Sequence, residues 1–145
     1  GAMAIGWAQI NNKWYYFDSS GAMKIGWQKI GSTWYYLNLD GTMATGWVYT
    51  ENKWYYMNSS GAMQKGWVYT GGKWYYMNKY GAMEINWVYV NGKWYYMNSS
   101  GAIVTGWIKL GNTWYYLRPN GDMATGWEKI GGRWYQFSSS GVWIK

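Results

Sequence analysis

The chain has no cysteine and no histidine, a single proline and two phenylalanines. Without cysteine there is no disulfide and no thiolate nucleophile. Without histidine there is no imidazole base, and the common zinc donor sets are missing. Acids are few, and Asp18, Asp40, Glu51, Glu84, Asp122 and Glu128 are all of them. A glycosidase needs two carboxylates facing each other across a bond, and these six fall at inconsistent places. The serines sit mostly in turn-like segments, and no glycine-rich phosphate loop precedes a helix. Together these absences point away from catalysis. No apolar run approaches the ~20 residues of a membrane-spanning helix, and no signal peptide opens the chain.

Aliphatic residues are also scarce: 4 Leu, 9 Ile and 6 Val with the 2 Phe make 21 of 145 residues. So low a share at a net charge of +7 would ordinarily signal disorder. Instead the apolar surface resides in 15 Trp and 17 Tyr. Such rings bury large areas and lose little rotamer freedom, so an aromatic array can fold. The 13 basic residues are scattered rather than clustered. They suit a mildly anionic partner surface as well as plain solubility.

Trp recurs every twenty residues at Trp7, Trp27, Trp47, Trp67, Trp87, Trp107 and Trp127, preceded by Gly except at Asn86. Seven residues after each stands a second Trp: Trp14, Trp34, Trp54, Trp74, Trp94, Trp114 and Trp134. Tyr follows all of these, and a second Tyr follows in six copies, with Gln136 breaking the last. Each copy then runs through a polar turn to Gly and usually, two residues on, Met. A fixed period without insertions marks a solenoid built from one supersecondary unit. The fold expected is therefore all-β, a solenoid of tandem twenty-residue β-hairpin repeats. One module covers 1–145, with repeats at about 6–25, 26–45, 46–65, 66–85, 86–105, 106–125 and 126–145. The opening Gly1-Ala2-Met3 matches Gly21-Ala22-Met23, and reads either as the tail of a further copy or as appended residues.

Between the two Trp-bearing stretches lie pairs such as Asn11-Asn12, Gly71-Gly72 and Asn91-Gly92, which suit two-residue hairpin loops. Such a loop at 11–12 sets residue 7 against 16 and 9 against 14. Side chains alternate faces along a strand, so Trp7, Trp14 and Tyr16 share one face. Ala8, Ile10, Tyr15 and Phe17 share the other. The first face repeats almost unchanged, while the second varies as a merely packed surface would. Repetition on one face only suggests a geometric requirement there.

Aromatic rings converging on a small space present a negative quadrupole field without a formal charge. That environment suits a quaternary ammonium, which has an apolar methyl shell and donates no hydrogen bond. Each contact is worth ~0.5–2 kcal/mol. Several cages meeting a polymeric ligand would raise avidity by roughly 10²–10⁴. Core packing and a carbohydrate platform are alternative uses of the same rings. Single-stranded nucleic acid fits less well, because Lys and Arg do not track the aromatic row.

The pattern Gly-Trp, seven residues, Trp-Tyr-Tyr, polar turn, Gly-x-Met resembles the choline-binding repeats of pneumococcal surface proteins and phage lysins. Residues 66–83, GWVYTGGKWYYMNKYGAM, show it clearly, and the resemblance covers essentially the whole chain. It implies a left-handed β-solenoid that holds choline between consecutive repeats, with two Trp from one repeat and the second Tyr and following Met from the next. On that pattern the sites are Trp7, Trp14, Tyr36 and Met43; Trp27, Trp34, Tyr56 and Met63; and Trp47, Trp54, Tyr76 and Met83. The fourth and fifth are Trp67, Trp74, Tyr96 and Ile103, then Trp87, Trp94, Tyr116 and Met123. In the sixth, Trp107 and Trp114 would meet Gln136 in place of a ring, with Trp143 where Met is usual. Asn86 would shift the backbone entering the fifth repeat. Trp127 and Trp134 would be capping residues, half of a site, or a homodimer contact.

The resemblance further implies non-covalent attachment to phosphorylcholine of teichoic and lipoteichoic acid on an extracellular bacterial surface. No cofactor, metal, nucleic acid or membrane span enters, and any murein hydrolase would be a separate domain of the parent protein. The runner-up is the related glucan-binding repeat. Glucan readers should carry more hydrogen-bonding side chains beside their rings than the mixed Gln9, Lys29, Tyr49, Tyr69, Tyr89, Lys109 and Lys129.

Overall fold

The computed structural model describes residues 3–145. These residues form fourteen strands of five residues each and contain no helix. The strands are β1 Gly6–Ile10, β2 Lys13–Phe17, β3 Gly26–Ile30, β4 Thr33–Leu37, β5 Gly46–Thr50, β6 Lys53–Met57, β7 Gly66–Thr70 and β8 Lys73–Met77. They continue as β9 Asn86–Val90, β10 Lys93–Met97, β11 Gly106–Leu110, β12 Thr113–Leu117, β13 Gly126–Ile130 and β14 Arg133–Phe137. Each pairs with its sequence neighbour, giving seven two-stranded sheets.

The register follows from the loop length. Trp7 lies opposite Tyr16 and Gln9 opposite Trp14, and the same register recurs at Trp27–Tyr36, Trp87–Tyr96 and Trp107–Tyr116. Both loop residues are left-handed at Asn11-Asn12, Glu51-Asn52 and Gly71-Gly72, as a type I′ turn requires. Asn86 takes φ +66°, beside +71° at Gly6 and +69° at Gly126. The backbone entering the fifth repeat therefore keeps its course, because Asn tolerates the left-handed region. The Tyr96 hydroxyl also donates to the Asn86 side chain at 3.4 Å.

After each hairpin a side chain organises the turn. The Asp18 carboxylate accepts from the amides of Ser20 and Ala22 at 2.9 and 3.0 Å, and Asn58, Asn78 and Asn98 repeat the arrangement. The chain then returns to bridge its own hairpin, pairing Phe17 with Met23, Leu37 with Met43 and so on through Phe137 with Trp143. This third arm gives the methionine a fixed place. Met3 lies over Gly21 as Met23 lies over Gly41, so it occupies the position of a repeat methionine; Gly1 and Ala2 fall outside the described residues.

The chain divides into two compact units, Gly1–Gly66 with Met77–Met83, and Trp67–Tyr76 with Glu84–Lys145. Within each, the core repeats. The last residue of the second strand is fully buried at Leu37, Met57, Met77, Met97 and Leu117, and partly buried at Phe17. Burying such a side chain contributes about 1.5–3 kcal/mol. In the first unit Ala44, Val48 and Met57 are covered by Trp27, Tyr36, Tyr55 and Met63. The aromatic face of one hairpin thus packs on the apolar face of the next.

Candidate functional site

The short β-ladder places the two Trp of a repeat as adjoining walls. Trp7 and Trp14 have ring centroids 6.5 Å apart and planes at 85°. The same right angle recurs at Trp27–Trp34, Trp47–Trp54, Trp87–Trp94 and Trp107–Trp114, with separations of 6.2, 6.1, 6.4 and 6.3 Å. Two perpendicular indoles bound a corner, and the next repeat supplies the rest.

The third wall is the first Tyr of the following hairpin. Tyr35 approaches Trp7 at 4.9 Å, Tyr55 approaches Trp27 at 4.8 Å and Tyr95 approaches Trp67 at 4.9 Å. Tyr115 and Tyr135 stand 5.1 Å from Trp87 and Trp107. A backbone hydrogen bond fixes the fourth wall. The amide of Met43 donates to the Trp14 carbonyl at 2.8 Å, and Met63, Met83, Ile103, Met123 and Trp143 do the same to Trp34, Trp54, Trp74, Trp94 and Trp114. A side chain twenty-nine residues on is thereby held over the second Trp of each repeat.

Cavities open between these walls. Trp7, Trp14, Tyr35 and Met43 line one of about 430 Å³, with Ser59 and Ser60 on its rim. Trp27, Trp34, Tyr55 and Met63 line another of about 380 Å³. Trp87, Trp94, Tyr115 and Met123 enclose about 290 Å³ beside Ser140, and Trp107, Trp114, Tyr135 and Trp143 enclose about 400 Å³. The cavity of Trp27 and Trp34 is also lined by Glu51, Lys65, Lys79 and Tyr80; the linings of the others are uncharged and offer π-electron density and polarisable sulfur. The chain's own cations respond to such rings: Lys109 Nζ lies 5.9 Å from the Trp114 centroid and Lys145 Nζ 6.0 Å from that of Trp127. Burial and the carboxylate of Glu51 hold the Tyr55 hydroxyl protonated above its ordinary range, and burial and Asp122 do the same at Tyr95. These rings stay neutral in any ordinary buffer. No group of three or more His, Cys, Asp or Glu among the described residues is placed to hold a metal ion.

The structure brings together the Trp pairs and the Met, Ile or Trp residues expected from the sequence, but it exchanges the tyrosines. Tyr36, Tyr56, Tyr76, Tyr96 and Tyr116 lie against the first Trp of their own hairpins: Tyr36 is 5.2 Å from Trp27, Tyr56 is 5.1 Å from Trp47 and Tyr76 is 5.0 Å from Trp67. Tyr96 and Tyr116 follow at 5.1 and 5.2 Å from Trp87 and Trp107. The reason is the pleat. The second Tyr shares its face with its own Trp, whereas the first Tyr points backwards to the preceding hairpin. The same exchange removes the defect expected at Gln136. That residue stands opposite Trp127, while Tyr135 supplies the ring facing Trp107 and Trp143 closes the cavity 6.2 Å from it. A signal was available, since the first Tyr occurs in all seven copies on the face that otherwise varies. Trp134 is 61% exposed against 40% for Trp14.

The choline-binding repeat profile matches residues 24–58 and 85–125, and a cell wall binding repeat profile matches 5–23, 65–83 and 125–142. No curated protein sequence matches significantly. Among solved structures the chain is similar to CbpJ from Streptococcus pneumoniae TIGR4, at 45% identity and a TM-score of 0.94 over 97% of this chain and 52% of that one. It is similar to choline binding protein F from Streptococcus pneumoniae, at 44% identity and a TM-score of 0.93 over the same shares. The pneumococcal cell wall endolysin from phage Cp-1, solved with choline, matches at 39% identity and a TM-score of 0.60, covering 86% of this chain and 38% of the endolysin. The chain thus spans about half the length of the first two relatives. With the repeat profile covering more than half its residues and the cages recurring at the repeat period, this chain belongs to the choline-binding repeat family.

Proposed function

We propose that the chain is a binding module that docks its parent protein non-covalently onto choline displayed by the teichoic and lipoteichoic acids of a bacterial cell wall. The observation that carries this reading is the uncharged three-ring cage, completed at cavity after cavity by a side chain pinned to the second Trp. Such a cage rewards a cation whose charge is spread over methyl groups and whose hydration is weak. The phage endolysin solved with choline supports the same ligand. Each site gives modest affinity, and several on one chain meeting a polymer give tight retention. The ligand sets are Trp7, Trp14, Tyr35 and Met43, and their counterparts in later repeats, with the first Tyr of each following hairpin in place of the second.

The test is retention on choline-bearing cell walls and on an immobilised trimethylammonium matrix. Elution by free choline from both is expected. Retention on dextran that glucose oligomers reverse, without retention on the ammonium matrix, would make the aromatic face a glucan platform. Trp127 and Trp134, the exposed pair at the last hairpin, are the contact through which a second copy of the chain would dock. Sedimentation of the wild type and of Trp134→Ala checks that contact.

A further inference from the structure

Three departures from the repeat consensus, far apart in sequence, converge on one cavity. At the loop position of Glu51 the other copies have Gly or Asn; at that of Lys65 they have Ile or Thr except for Lys145 in the last. Where Lys79-Tyr80 stands, four of the other six copies have Ser-Ser. All four residues line the cage of Trp27 and Trp34. Its counterparts are rimmed by Ser59 and Ser60, by Ser140, or by aromatic walls alone. Random drift of exposed positions would scatter charge over several cages rather than gather it at one.

The charges are ordered by type. Two ammonium groups and one carboxylate leave the rim with one net positive charge beside an uncharged aromatic floor. Lys79 Nζ rests 5.2 Å from the Tyr80 centroid, which holds the amine at the edge of the cavity. Glu51 keeps φ +53°, a left-handed conformation that Gly or Asn would hold with less strain.

Resting on the choline reading above, we infer that this cage recognises choline as its phosphodiester. The trimethylammonium sits against Trp27, Trp34 and Tyr55, and Lys65 and Lys79 neutralise the phosphate outside. The cavities of Trp14, Trp94 and Trp114, which lack such charges, read the ammonium alone. Both lysines are exposed, so their contribution is modest and screened by salt.

The test is NMR of the tryptophan indole N–H signals, with Trp34 assigned through Trp34→Phe, in titrations of choline and of glycerophosphocholine. At low salt the Trp34 signal should report about threefold to tenfold tighter binding of the phosphodiester, falling towards parity at high salt. Trp14 and Trp94 should report equal binding of the two. The double variant Lys65→Thr, Lys79→Ser uses residues found at these positions in other copies, so the fold is kept; it should erase the preference by weakening the phosphodiester, while choline, relieved of two neighbouring ammonium charges, binds at Trp34 no more weakly than before. An equal ratio at Trp34 and Trp14, or a preference that survives the double variant, overturns the inference. If choline moves no indole signal, the choline reading itself fails, which is a different result from a flat ratio. Phosphatidylcholine vesicles separate the two sources of such a diester. Cosedimentation assigns a lipid headgroup, and its absence alongside a retained preference for glycerophosphocholine assigns a wall polymer.

Discussion

Replacing Tyr115 by leucine should weaken one cage and leave the others intact. Its ring stands 5.1 Å from Trp87 and closes the cavity of Trp94 and Met123. Removing one ring of three subtracts ~0.5–2 kcal/mol of cation–π attraction, a loss of about 2-fold to 30-fold in affinity at that site. The lost edge-to-face contact is worth about 0.5–1.5 kcal/mol, or roughly 2–6 °C of melting temperature at this chain length. The control is Tyr116→Leu. That ring lies 5.2 Å from Trp107 on its own hairpin, so the variant should lose comparable stability while choline affinity at Trp94 stays unchanged. Choline titration followed at the Trp94 indole signal separates the two. If Tyr116→Leu emptied the Trp94 cage and Tyr115→Leu did not, the assignment of the first tyrosine would be wrong.

Further outcomes follow from particular contacts. Glu51→Asn should stabilise the chain by about 1 kcal/mol, since Asn holds a left-handed turn with less strain; denaturant titration reads this. Gly61→Ala should destabilise by more than about 1 kcal/mol, because φ is +83° there and an added methyl would collide with the Met43 sulfur. Asp122 is buried, with Arg118 at 2.6 Å, Lys93 at 3.9 Å and one carboxylate oxygen unpartnered among the described residues. Arg118→Ala should therefore cost about 3–5 kcal/mol by stranding that charge. Asp122→Ala should cost far less, because Arg118 keeps Glu128 at 2.9 Å and other copies carry alanine there; chemical melts of both variants decide it. The raised Tyr55 hydroxyl implies stability that is full below the tyrosine's unfolded value, about 10, and is lost as pH rises through its folded value. Thermal melts across alkaline pH should show that decline.

Most of the fold was legible because twenty-residue periodicity, two-residue loops and face alternation are local rules that each repeat obeys. Trp7 opposite Tyr16 follows from counting back from the Asn11-Asn12 loop. The placing of both Trp of a repeat on one face follows from the same counting, whereas the Met beside them was expected only from the family resemblance. The tyrosine assignment was not, because it depends on which face of one hairpin meets which face of the next. Within one strand Tyr15 and Tyr16 differ only in direction, and the stacking of hairpins decides which ring a cage receives. The gathering of Glu51, Lys65 and Lys79 was equally hidden, since the first two lie near opposite ends of one repeat and the third in the next, and they line one cavity only once the hairpins stack. The clue within the sequence was an unvarying residue on a varying face, and Tyr135 beside Gln136 displays it in one copy.

The most direct measurement is calorimetric titration of the chain with choline, with glucose oligomers titrated in parallel. Saturable heat at several sites for choline, none for the sugar, and a melting temperature that rises with choline concentration are expected; ligand at ~100 times its dissociation constant adds ~2.7 kcal/mol per site. Heat from the sugar without heat from choline, or a melting temperature indifferent to choline, would contradict the aromatic cages as ammonium sites.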